Sequence, residues 1–152
     1  MSYYFSYSAK SLSKKLKENL MIVTYEKLYN KNKLHCTMLF SNENYEENYS
    51  ELKLPDIEVT IKNIELWETD SGHVVVATLE GSEVFEMHKK IKENFNIEHQ
   101  RGFKPHITLQ KLASNQLSEA VKLEELTHLI GHKVLLNKFD FHVVSNKPKL
   151  KM

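Results

Sequence analysis

Two stretches of this 152-residue sequence decide its fold: residues 33–40 read KLHCTMLF, and residues 103–110 read FKPHITLQ. Apolar and polar side chains alternate in both stretches, which is typical of a strand with one buried face. Each stretch carries the triplet His-x-Thr, with His35 and Thr37 in the first and His106 and Thr108 in the second. Because residues two apart share a face of a strand, each His and its Thr are expected side by side on the polar face.

The rest of the chain predicts a mixture of strands and helices. Five further strands are expected, at residues 3–7, 57–68, 73–80, 133–137 and 139–145, with a hairpin turn at residues 70–72. Three helices are expected, from Ser8 or Ser11 to about residue 20, from Ser82 to about Phe95, and over about 115–130 with an end at Gly131. The order of these elements is irregular, which favours an α+β fold with antiparallel sheet.

Length and composition exclude several classes of protein. One domain spanning residues 1–152 is expected at this length. Twenty-one Lys and Arg face 20 Asp and Glu, so the net charge of +1 argues against a binder of long nucleic acid. The lone Cys36 excludes an internal disulfide and a multi-cysteine zinc site. With no apolar run near the roughly 20 residues of a membrane span, a cytoplasmic protein without membrane contact is expected.

Charge is nevertheless unevenly distributed along the chain. Residues 1–33 carry seven lysines against two glutamates, whereas residues 41–58 carry six acidic residues against one lysine. A local anion site is therefore compatible with an almost neutral protein, although an ordinary solvated surface explains the same pattern.

Two histidines with adjacent threonines suit the cleavage of a phosphodiester. The attacking hydroxyl must lose a proton and the leaving oxygen must gain one, and imidazole titrates near neutral pH. One neutral ring serves as base, one protonated ring serves as acid, and a threonine hydroxyl donates to a non-bridging phosphate oxygen. This chemistry predicts neither a metal nor a cofactor. The alternative is two polar strand faces exposed to water, with histidines there by accident.

The two His-x-Thr motifs, each on a strand and about seventy residues apart, resemble those of the 2H phosphoesterase superfamily. With the aromatic start and the lead-in at residues 102–105, the chain looks most like the phage anti-CBASS phosphoesterase family. The resemblance implies two pseudo-symmetric lobes of antiparallel sheet with flanking helices around a central cleft. It implies catalysis by His35, Thr37, His106 and Thr108, without assigning base and acid.

The same resemblance implies a substrate class, namely the cyclic di- and trinucleotide signals of bacterial CBASS defence, cut in the cytoplasm of an infected cell. A 2′,3′-cyclic phosphate is an expected intermediate, and direct attack by water is the alternative. Two other functions stay open: a phosphodiesterase for 2′,3′-cyclic phosphate ends of RNA, and a binding protein that sequesters nucleotides without cutting them. The oligomeric state stays open as well.

Six further residues are candidates for substrate binding. Arg101, Lys104 and Gln110 lie in or beside the second motif strand, where cations and an amide suit an anionic ligand. Trp67 is the single tryptophan and is suited to stacking on a nucleobase, although a lone Trp is more often core packing. Tyr4 and Tyr7, in the aromatic first strand, are candidates for the same role.

Overall fold

The strands predicted from alternation and from β-branched residues are present in the computed structural model. It describes residues 2–12, 14, 34–41, 52–70, 72–95, 102–113 and 123–144, except the side chains of residues 2–4, 41, 95, 113, 123, 125 and 142–144. The described residues form six strands: β1 Ser2–Ser8, β2 His35–Ser41, β3 Ile57–Thr69, β4 Gly72–Glu80, β5 His106–Ala113 and β6 Lys133–Val144.

These strands form one antiparallel sheet that closes on itself. Its order is β1-β2-β5-β4-β3-β6, and β6 returns to pair with β1. Every strand pair is antiparallel, as the irregular order of elements predicted. The order places β2 and β5, which are distant in the sequence, next to each other.

The helix Ser82–Phe95 follows β4 and confirms the prediction. It begins at a serine, which favours an N-terminus, and its acidic first turn and basic last turn complement the helix dipole. The spacing of its apolar residues produces one buried stripe, formed by Val84, Met87, His88 and Ile91. Among the strands, it packs mainly against β2 and β3.

The core is one cluster of buried side chains, formed by the apolar face of the sheet together with the buried stripe of this helix. β1 contributes Phe5 and Tyr7, both fully buried, and each packs against a phenylalanine of β6. The ring centroids are 4.9 Å apart for Phe5 and Phe141, and 5.2 Å apart for Tyr7 and Phe139. Each fully buried large side chain contributes about 1.5–3 kcal/mol relative to exposure, so this cluster ties the first and last strands together.

Two turns depend on glycines with positive φ. The hairpin predicted at residues 70–72 joins β3 to β4, and Thr69 pairs with Gly72, whose φ is 147°. Gly131, with φ of 89°, follows the short helices and precedes β6, as predicted for a helix end. Glycine adopts these angles at little steric cost.

The last strand differs from the prediction. Two strands were expected at residues 133–137 and 139–145, but Lys133–Val144 is one strand. Lys138 has a φ of 51°, and the register with β1 shifts there, so the apparent break in the pattern is an irregularity within a continuous strand.

The remaining helical predictions are only partly within the described residues. The helix expected over about 115–130 is represented by an α-helix at Leu123–Leu126 and a 3-10 helix at Thr127–Leu129. For the helix expected from Ser8 or Ser11, residues 10–12 and 14 are helical and the rest lies outside the described ranges. None of the helices in the described part is long and apolar enough to cross a membrane.

Candidate active site

The two His-x-Thr strands are direct neighbours. β2 and β5 pair antiparallel, and Cys36 of the first motif is the partner of Ile107 of the second. In an antiparallel pair, the residue before one partner lies opposite the residue after the other. The histidine of each motif therefore lies across from the threonine of the other motif, which makes a two-by-two group of polar side chains.

Burial shows which way these side chains face. Cys36 and Ile107 are fully buried, and so are Met38 and Leu109 two residues further on. The His and Thr of both motifs are partly exposed. The alternation expected from the sequence is present, and the two-by-two group lies on the surface of the sheet opposite the core.

Cys36, at the centre of the first motif, is a packing residue. Burial raises the pKa of its thiol to about 12, which outweighs the opposing effect of a hydrogen bond with the His106 backbone. The thiol is therefore protonated at neutral pH, and a thiol in this state is a poor nucleophile.

His106 is held in one tautomer by the chain that leads into β5. Its Nδ1 lies 2.9 Å from the carbonyl oxygen of Lys104. Because a carbonyl oxygen only accepts, Nδ1 carries the hydrogen, and the neutral ring keeps its lone pair on Nε2. Burial lowers the pKa of His106, the bond to Lys104 opposes this, and the charge of His35 lowers the pKa further. At neutral pH, His106 therefore has a neutral ring with a proton-accepting Nε2.

Trp67 of β3 contacts the His106 ring from the side. The two ring centroids are 4.6 Å apart, and the ring planes meet at 62°. The indole Nε1 of Trp67 donates to Oε1 of Glu65 at 2.8 Å. Thr78 of β4 is paired with both Asn63 of β3 and His106 of β5, so the polar face that carries His106 continues across these three strands.

His88 supports both motif segments from the interior. Its Nδ1 lies 2.6 Å from the carbonyl oxygen of Met38, directly after the first motif. Its ring stacks on Phe103, with centroids 3.9 Å apart and an angle of 3° between the planes. Phe103 precedes the second motif by three residues, so one buried side chain contacts the chain at both motifs.

A cavity of about 300 Å³ lies beside His106. Trp67 and the lead-in residues Lys104 and Pro105 form part of its wall. The full lining is Lys62, Glu65, Trp67, Thr78, Leu79, Phe85, Lys104 and Pro105. This volume lies near the lower end of the roughly 300–1,000 Å³ that is usual for small-molecule sites.

The sequence matches the family model described as Anti-CBASS protein Acb1 over residues 2–142. The chain belongs to this family. The family match covers both His-x-Thr motifs and every strand of the described sheet except the last two residues of β6.

Solved structures show the same fold at low sequence identity. The Acb1-family chain resembles the crystal structure of TT0787 of Thermus thermophilus, with 19% identity, a TM-score of 0.62, and coverage of 98% of this chain and 91% of that one. It also resembles a crystal structure described as a phosphoesterase, with 16% identity, a TM-score of 0.55, and coverage of 92% and 86%. No curated protein sequence matches the chain.

Two of the proposed substrate-binding residues of this Acb1-family chain lie at the cavity. Trp67 and Lys104 both line it, and both contact His106. The side chain of Tyr4 and the whole of Arg101 lie outside the described residues.

Tyr7 and Gln110 are placed differently from the expectation, because both are fully buried. The hydroxyl of Tyr7 donates to the carbonyl oxygen of Pro55 at 2.8 Å, and burial raises its pKa. Gln110 was expected on the same face as His106. The register between β4 and β5 shifts between Val75 and Val76, which leaves one extra residue in β5 and turns Gln110 inward.

Several residues around the site were not predicted. Glu65 holds Trp67, Lys62 and Phe85 line the cavity, and His88 contacts both motif segments. The position of Glu65 could have been predicted, because Glu65 and Trp67 are two residues apart on a strand and therefore share a face. The others depend on contacts between elements that are far apart in the sequence.

Among the residues that the structure describes, no three His, Cys, Asp or Glu side chains come together as a possible metal site. The chemistry available at the described site consists of two imidazoles, two hydroxyls and nearby ammonium groups.

Proposed function

We propose that this chain is a phosphodiesterase that hydrolyses the 3′–5′ linkages of cyclic di- and trinucleotide signals and so counters CBASS defence. The observation that carries the proposal is the pairing of Cys36 with Ile107, which groups the two His-x-Thr motifs on one surface. Membership of the anti-CBASS family and the likeness to a phosphoesterase structure support the same function. The site of action would be the cytoplasm of an infected bacterium.

His106 is proposed as the general base. Its lowered pKa keeps the ring neutral, and the hydrogen bond from Nδ1 to Lys104 leaves the Nε2 lone pair available. His35 is then the general acid. His35 is the second imidazole of the group, and it acts electrostatically on His106, whose pKa it lowers.

The proposed reaction begins with attack by the ribose 2′-oxygen on phosphorus. The 2′-hydroxyl proton passes to Nε2 of His106, the bond between phosphorus and the 5′-oxygen breaks, and His35 protonates the leaving 5′-oxygen. The products of this step are a 2′,3′-cyclic phosphate and a free 5′-hydroxyl. Water then opens the cyclic phosphate, with the proton roles reversed.

The motif threonines would stabilise the transition state. Thr37 and Thr108 lie across from His106 and His35 in the strand register, which supports a shared role for the hydroxyls and imidazoles at one phosphate. Each hydroxyl would donate to a non-bridging oxygen as negative charge accumulates there. In this proposal, the two motif halves act as the two lobes of a single domain, and the cleft between them holds the phosphate.

Trp67 and Lys104 are the proposed substrate contacts next to this centre. Trp67 presents a large aromatic surface in the cavity, and stacking of a base on such a ring contributes about 1–3 kcal/mol. Lys104 adds a cation to the same cavity.

The test is incubation of the purified protein with 3′,3′-cyclic GMP–AMP in the presence of EDTA, with products separated by chromatography. We expect cleavage that survives EDTA and is lost in His35→Ala and in His106→Ala. His128→Ala is the matched control, because His128 is exposed and lies outside the site. Cleavage that EDTA abolishes would contradict the mechanism.

The same assay separates the two alternative functions. An intact cyclic dinucleotide together with hydrolysis of 2′,3′-cyclic phosphate RNA ends would favour the RNA-end enzyme. Tight binding with complete recovery of intact cyclic dinucleotide would favour sequestration.

A further inference from the structure

The cavity beside His106 is lined by apolar and basic side chains that do not belong to the two His-x-Thr motifs. Four apolar side chains form much of its wall: Trp67, Leu79, Phe85 and Pro105. Two lysines, Lys62 and Lys104, line it as well. This combination of flat apolar surface and positive charge fits a nucleoside joined to a phosphate.

The two lysines reach the cavity from different parts of the chain. Lys62 lies where the register between β3 and β4 shifts, between Ile61 and Asn63, and Lys104 lies in the lead-in to β5. Both are exposed, and within the described ranges no carboxylate forms a salt bridge with either. The irregularity in β3 thus places a second ammonium group in the cavity that Lys104 lines.

The carboxylate in the cavity is already engaged. Glu65 accepts a hydrogen bond from Nε1 of Trp67 at 2.8 Å and another from Nδ2 of Asn63 at 3.4 Å. The lysine charges therefore exceed the acidic charge of the lining by one, which favours an anion.

A cyclic dinucleotide carries two phosphodiesters, each with one negative charge. Only one of them occupies the position between the two histidines at a time. The other phosphodiester belongs to the same covalent ring, so a cationic group that binds it must lie close to the reacting phosphate. The cavity meets this requirement, because Lys104 holds the His106 ring through its carbonyl oxygen while its side chain lines the cavity.

We propose, on the basis of the function proposed above, that Lys62 and Lys104 form a subsite for the second, non-reacting phosphate of the substrate. The nucleoside attached to that phosphate packs against the apolar wall. The subsite selects ligands that carry two phosphates over ligands that carry one.

The test compares three ligands with the same bases: 3′,3′-cyclic GMP–AMP, linear pGpA, and linear GpA, which lacks the second phosphate. Binding is measured by calorimetry to His35→Ala, which prevents turnover, with and without Lys62→Met and Lys104→Met. We expect the double Met variant to bind both two-phosphate ligands about tenfold more weakly and to bind GpA almost unchanged. The salt dependence of affinity for the two-phosphate ligands should also decrease.

The control is a double variant, Lys90→Met with Lys138→Met, in the same background. Both residues are exposed and neither lines the cavity, so the net charge changes equally without touching the subsite. An equal loss of affinity for GpA and for the two-phosphate ligands, or an equal loss in the control, would overturn the subsite while leaving the proposed function intact. If cyclic GMP–AMP neither binds His35→Ala nor is cleaved by the unmodified protein, the proposed function fails and the subsite with it.

Discussion

Cys36 of β2 lies directly opposite Ile107 of β5, and both side chains are fully buried. Each is the central residue of a His-x-Thr motif, so this one pair sets the position of all four polar motif residues. Burial of the central pair also stabilises the arrangement, since exposing either side chain would lose buried apolar area. The catalytic group we propose is therefore built on core packing.

The first prediction concerns the pKa of His106. Burial and the charge of His35 lower the pKa of His106 below its ordinary value of 6.5, against the bond to Lys104. NMR titration of its ring protons should give a midpoint below 6.5. In His35→Ala that midpoint should rise, because the neighbouring positive charge is removed. An unchanged or lower midpoint in His35→Ala would contradict electrostatic contact between the two rings, and His128→Ala should leave the midpoint as it is.

The same shift predicts a dependence of stability on pH. The folded pKa of His106 lies below the unfolded value of 6.5, so the unfolded chain takes up this proton more readily. The contribution of His106 to stability is therefore complete above pH 6.5 and is lost as the pH falls through the folded pKa. Urea unfolding should show that the free energy of unfolding falls less in His106→Asn than in the unmodified protein as the pH decreases from 6.5 through the folded pKa. If the free energy of unfolding had the same dependence on pH in the two proteins, the prediction would be contradicted.

Glu65 should control the orientation of Trp67. Removing the acceptor in Glu65→Ala frees the indole, whereas Glu65→Gln keeps an acceptor oxygen in the same place. Trp67 is the single tryptophan, so its fluorescence reports the site directly. We expect an altered emission spectrum and a higher KM for the cyclic dinucleotide in Glu65→Ala, with smaller changes in Glu65→Gln. Identical spectra in all three proteins would mean that the bond does not orient the ring.

The thiol of Cys36 should be unreactive in the folded protein. It is fully buried, and burial raises its pKa to about 12, so little thiolate is present at about pH 8. Labelling with an aromatic disulfide reagent should be slow in buffer and fast in denaturant. Cys36→Ala should retain cleavage, since the thiol has no proposed role in the chemistry. Rapid labelling of the folded protein, or loss of cleavage in a folded Cys36→Ala, would contradict this assignment.

His88 should contribute to stability through its hydrogen bond to β2. In His88→Phe, the aromatic ring that stacks on Phe103 is retained, but the carbonyl oxygen of Met38 loses this donor. Leaving a buried acceptor unsatisfied costs about 1–3 kcal/mol, which should appear as a lower free energy of unfolding in urea. His128→Ala is the exposed control and should change this value little. A His88→Phe variant as stable as the unmodified protein would mean that the bond contributes nothing.

Local pattern was sufficient for most of the individual elements. The alternation around His35 and His106, the serine at the start of the helix Ser82–Phe95 and the turn before Gly72 each act over a few residues. Side-chain periodicity and backbone preference depend on residues that are close together in the sequence. These elements and the polar face of each motif could therefore be predicted.

Distant contacts decided the rest. The pairing of β2 with β5 joins strands far apart in the sequence, and no local period specifies a strand's partner. The register shift that buries Gln110, and the packing of Tyr7 against Phe139, depend on how neighbouring strands fit together. The sequence thus determined which residues share a face, whereas only the packed sheet decided which faces meet, because burial and strand pairing are properties of the whole core.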